Sequence, residues 1–85
     1  MAAAPSPATL IGASAASLST TLVPPALRRV DGPAQVWLYT SRVCRLELVL
    51  YPGAAGQPQV SYARRMPRDV GTATCVASLE RGRPS

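Results

Sequence analysis

The chain has 85 residues, a net charge of +5 carried by nine arginines against four acidic groups, and no histidine, lysine or phenylalanine. Without histidine, a serine or cysteine nucleophile lacks its commonest general base, and the four carboxylates Asp31, Glu47, Asp69 and Glu80 show no paired motif, so the composition speaks against an enzyme. The length allows one small domain with roughly 60 residues available for a core, near the lower limit for independent folding.

Residues 1–9 are rich in alanine, proline and serine and carry no charged side chain, which predicts a flexible tether. Pro5 and Pro7 interrupt any signal-like apolar run. From Leu10 the pattern changes. Ile11, Ala15, Leu18 and Leu22 recur at helical spacing, which predicts a helix from about Ala15 to Leu22, with Ser14 as N-cap and Pro24-Pro25 forcing an extended exit.

Ala26 to Val30 is expected as a short edge strand, followed by a turn at Asp31-Gly32-Pro33, where Asp31 is expected to pair with Arg28 or Arg29. Most of the bulky apolar residues follow, in Val36-Trp37-Leu38-Tyr39 and in the run from Cys44 to Tyr51. In the second run Cys44, Leu46, Leu48 and Leu50 alternate with Arg45, Glu47, Val49 and Tyr51, the signature of a strand with one face buried. Thr40 to Val43 has the length of a hairpin loop. A loose loop over 52–58 leads to a further strand at Val60 to Arg64, and a short helix capped by Thr72 or Thr74 is expected to run to about Glu80, with Cys75, Val76 and Leu79 on one face. Residues 10–82 then form the single domain and 83–85 a frayed tail.

Two cysteines cannot close a tetrahedral zinc site without other ligands, so a structural disulfide between Cys44 and Cys75 is the better expectation, tying the sheet to the C-terminal helix. Such a bond implies an oxidising compartment. The predicted fold class is α+β: a short N-terminal helix on a small antiparallel sheet of three to four strands, with a short C-terminal helix stapled by the disulfide. No cofactor, metal or small-molecule substrate is expected.

Leu10-Ile11-Gly12 with the Ser14 helix, the exit at Pro24-Pro25, Arg28-Arg29, Asp31-Gly32-Pro33 and the aromatic strand Val36 to Tyr39 resemble the small outer-membrane assembly lipoproteins of the BamE/SmpA type. The resemblance covers about residues 10–64. It implies a helix packed on a three-stranded antiparallel sheet, a periplasmic location or one on the periplasmic face of the outer membrane, and an envelope protein as partner. Two departures stand out: Val23 occupies the position where glycine is usual before the proline, and no lipid-accepting cysteine lies near the N-terminus. Membrane attachment would therefore need a lipid anchor that this sequence lacks.

The functional expectation is a protein-binding module that uses Arg45, Tyr51, Tyr62 and Arg64, residue types suited to partly wet interfaces. A basic nucleic-acid-binding domain is the alternative from charge alone, but the arginines occur singly or in pairs without the aromatic interleaving of RNA binders. A purely structural small protein is the third reading.

Overall fold

The computed structural model describes residues 10–81; the expected tether at 1–9 and tail at 83–85 lie outside them. The elements run α1 (Ala15–Thr21), β1 (Leu27–Asp31), β2 (Ala34–Thr40), β3 (Arg45–Pro52), β4 (Pro58–Met66) and α2 (Thr72–Leu79). The four strands form one antiparallel sheet in the order β1-β2-β3-β4, each pairing with its neighbour in sequence. The fold is α+β, as the sequence predicts, with four strands in the sheet.

Turn chemistry sets the meander. Gly32 takes φ +61 at the first position of the two-residue β1–β2 turn, a conformation that a side chain resists, and Pro33 follows it with no N–H to misplace. Between β2 and β3 the hydroxyl of Ser41 accepts hydrogen bonds from the backbone N–H of Val43 (3.1 Å) and Cys44 (3.2 Å), closing the loop where the strand resumes at Arg45. Between β3 and β4 the N–H of Gly53 donates to the Gln57 carbonyl at 2.7 Å, and Gly56 takes φ +80.

One face of the sheet is covered by both helices. Trp37 and Tyr39 of β2, Leu46, Leu48 and Leu50 of β3 and Val60 of β4 are buried together with Leu10, Leu18 and Leu22 from the N-terminal side and Cys75, Val76 and Leu79 from α2. Each such side chain contributes roughly 1.5–3 kcal/mol on burial, so the alternation in β3 alone accounts for a substantial share of the driving force. Cys44 and Cys75 are joined as expected, and both sulfurs lie inside this core.

The helices are short, and their ends are tied to the rest of the chain. The Ser14 side chain accepts from the Ser17 N–H, as predicted for the N-cap. At the other end the hydroxyls of Thr20 and Thr21 donate to the Ser17 carbonyl, and Arg81 reaches back so that its Nε donates to the Ser19 carbonyl at 2.8 Å. Val23 N–H donates to the Leu79 carbonyl, which joins the C-terminal ends of α1 and α2. Arg65 stabilises the approach to α2 by donating from Nε to the Val70 carbonyl and from Nη2 to the Arg68 carbonyl.

Three local expectations are corrected. Ile11 is exposed and Leu10 is buried, because the chain turns at Gly12 (φ +88) before the helix begins. Gly71, not a threonine, is the N-cap of α2, and no side chain caps that end. Asp31 makes no ion pair among the described residues; the Arg28 guanidinium instead lies over the Trp37 ring, 4.3 Å from its centroid.

Candidate functional site: the open face of the sheet

The face of the sheet turned away from the helices is uncovered among the described residues. Strand alternation sends Arg45, Glu47, Val49 and Tyr51 of β3 to this side, because Leu46, Leu48 and Leu50 are held in the core. Register then assembles their neighbours. Leu38 and Arg64 flank Glu47 from β2 and β4, Val36 and Tyr62 flank Val49, and Thr40 and Met66 flank Arg45. Further out, Leu27 of β1 lies opposite Leu38, and Arg29 opposite Val36.

The predicted contacts Arg45, Tyr51, Tyr62 and Arg64 thus fall on a single surface. A β-bulge makes this possible. Val49 pairs with Tyr62 but Leu50 pairs with Val60, so Ser61 is an extra residue in β4, and its hydroxyl donates to the Val49 carbonyl. Under strict alternation Val60 and Tyr62 would share a face; the bulge lets Val60 stay in the core while Tyr62 points outward, half-exposed at 51%.

Chemically the face has an apolar middle and a basic rim. Val36, Leu38 and Val49 form a partly buried aliphatic strip across β2 and β3, extended by the exposed Leu27, Tyr51, Tyr62 and Met66. Arg64 Nη2 lies 3.2 Å from Glu47 Oε1, so one of the three arginines is locally neutralised. A pair this exposed stabilises the fold by about 0–1 kcal/mol, and its larger effect is to leave Arg29 and Arg45 as the cations of the face with no ion pair among the described residues. Leu38, Arg45, Glu47, Arg64 and Met66 enclose a hollow of about 200 Å³, large enough for one inserted side chain. Arg45 and Met66 also border a second hollow of about 310 Å³ at the end of the sheet.

Residue type alone does not mark the apolar members Val36, Leu38, Leu27 and Met66 as surface, since valine and leucine in a strand read first as core, whereas alternation places Val49 outward. The signal that locates the others is register, which sets Val36, Leu38, Leu27 and Met66 beside the outward residues of β3.

Elsewhere the polar groups are structural. Ser41 and Ser78 hydroxyls meet at 2.7 Å beside the disulfide, and Ser78 donates to the Cys75 carbonyl, so the loop bearing Cys44 and the helix bearing Cys75 are joined by hydrogen bonds as well as by sulfur. The Tyr39 hydroxyl is buried with no hydrogen-bond partner among the described residues, and desolvation raises its pKa from 10.0 to about 12, against a smaller lowering by the Arg28 charge. Among the described residues there is no cluster of three or more histidine, cysteine, aspartate or glutamate side chains that could hold a metal ion, and no helix long and apolar enough to cross a membrane. No family model, curated protein or solved structure matches the chain.

Proposed function

We propose that this chain is a non-catalytic protein of the bacterial envelope, periplasmic or on the periplasmic face of the outer membrane, that binds another envelope protein through the open face of its sheet. The observation that carries the reading is the one-sidedness of the sheet: helices cover one face, while the other keeps a contiguous apolar strip bordered by Arg29 and Arg45. The surface that complements it is itself apolar at its centre, with carboxylates positioned to meet those two guanidinium groups.

Nucleic acid fits this face less well. The Glu47 carboxylate lies in its middle and holds Arg64, and the flanking strip is aliphatic, so neither a track of free cations nor a central aromatic stacking platform is present. The buried disulfide supports an oxidising compartment, and the resemblance of residues 10–64 to the BamE/SmpA-type lipoproteins supports the same location and an assembly or maintenance role at the outer membrane.

The test is capture from a detergent-solubilised envelope with wild type and with Arg45→Ala/Tyr62→Ala, whose side chains are both outside the core. A protein retained by wild type and lost from the folded double variant supports the reading. Retention of nucleic acid alone contradicts it, as does a partner set that survives both this change and Val49→Asp in the centre of the face.

A further inference from the structure

The two edges of the sheet differ. At β4, Val60 N–H donates to the Ala13 carbonyl at 2.9 Å and its own carbonyl accepts from Gly12 N–H at 2.7 Å, so the segment before α1 lies along that edge. At the other edge, β1 has no strand beside it among the described residues, and all five of its residues are exposed. Val30 is the extreme case: at 74% it is the most exposed large apolar side chain among the described residues. Edge strands usually carry charges that deter pairing, but the Arg28 guanidinium is drawn back over the Trp37 ring of its own sheet and does not guard the edge.

We propose that β1 is the contact strand of a symmetric homodimer, in which the β1 strands of two copies pair antiparallel with Val30 on the two-fold axis and join both sheets into one. Hydrogen-bond parity and charge together select this register. The two-residue Gly32-Pro33 turn makes Asp31 and Ala34 the closing bonded pair of the hairpin. Alternation then commits the N–H and C=O groups of Arg29 and Leu27 to β2 and leaves those of Arg28 and Val30 pointing out of the sheet. Arg28 and Val30 therefore supply the bonds to a second copy, whichever residue sits on the axis, and charge decides among the registers. An axis at Arg28 or at Arg29 sets two arginines opposite each other, and an axis at Asp31 sets two carboxylates opposite each other. With the axis at Val30, the two Val30 side chains meet, Arg29 of each copy faces Asp31 of the other, and Arg28 faces Gly32, which has no side chain to obstruct it. Asp31, unpaired within its own chain among the described residues, gains a cation.

In this register only Arg29, Val30 and Asp31 of each β1 face one another, so the contact is small, and the dimer is weak and forms with rising concentration. Sedimentation equilibrium from micromolar to millimolar protein tests it. The average mass of wild type should climb toward twice that of the monomer. Arg29→Asp places a carboxylate opposite Asp31 and should remain monomeric, while Arg29→Asp/Asp31→Arg restores the complementary pair and should dimerise again. Val30→Cys should form a covalent dimer on mild oxidation, because directly opposed residues of a bonded pair have Cα atoms about 5.5 Å apart, and Leu27→Cys should not. Wild type that stays monomeric at millimolar concentration overturns the proposal. So does equal association of the single and double charge variants, which would show that the copies meet elsewhere.

Discussion

Reducing the Cys44–Cys75 bond should lower the melting temperature by about 15–30 °C, and the size of that drop follows from where the bond sits. The two cysteines are 31 residues apart in sequence, so the closed loop contains β3, β4 and the start of α2. In the chain-entropy treatment a loop of this length removes about 12 cal/mol/K from the unfolded state, or about 3.7 kcal/mol at 25 °C. For a domain of this size each kcal/mol moves the melting point by about 4–8 °C, which gives the range stated. Total stability is on the order of 4–11 kcal/mol, so the bond supplies a third or more of it. Reduction is a cleaner perturbation than substitution, since both sulfurs stay in the core and no cavity opens there. The assay is thermal unfolding by circular dichroism with and without a phosphine reductant, the redox state being checked by intact mass after alkylation. A shift below about 5 °C would refute the loop-closure reasoning, and two alkylated thiols in folded, unreduced protein would refute the bond itself.

Three further outcomes are expected. Tyr39→Phe removes a buried hydroxyl that has no partner among the described residues, so it should be neutral or stabilising by up to about 1–3 kcal/mol in denaturant unfolding; a loss of that size would mean that the hydroxyl is bonded. Because the folded state holds the Tyr39 proton up to about pH 12 and the unfolded state only to 10.0, stability present below pH 10 should fall by roughly 2–3 kcal/mol as pH rises through 12. Melts across that range should show this component in wild type and not in Tyr39→Phe. Trp37→Ala empties a site 3% exposed in the middle of the core and should cost about 3–5 kcal/mol, and the wild-type tryptophan should emit well to the blue of the free amino acid. Water-like emission would contradict its burial.

Alternation made the core face of β3 legible at once, because Cys44, Leu46, Leu48 and Leu50 repeat with the period of a strand and all four are buried. The Ser14 cap was legible for a similar reason, being a local hydrogen bond with a residue-type preference. Ile11 misled because periodicity assumes the helix is already under way, whereas a positive-φ glycine intervenes and rotates the chain. Arg28 misled because sequence proximity to Asp31 suggested a partner, while the Trp37 ring that it covers comes from the neighbouring strand. Arg45, Tyr51, Tyr62 and Arg64 could each be named from residue type and phase, but their meeting on one face depends on strand register and on the bulge at Ser61, and a bulge of one residue leaves little trace in a pattern. The Ser41–Ser78 contact joins residues 37 apart and had no signal in the sequence at all.

Site-specific photo-crosslinking in envelope-containing cells tests the central claim most directly. A photoreactive residue at Val49, in the middle of the open face, is compared with one at Ala73, exposed on α2. Binding through the sheet face predicts a discrete protein adduct from position 49, absent from position 73 and lost when Arg45→Glu reverses the charge beside the apolar strip. Adducts of equal intensity from both positions, or a position-49 adduct composed of nucleic acid, would contradict the claim that this face is where the protein meets its partner.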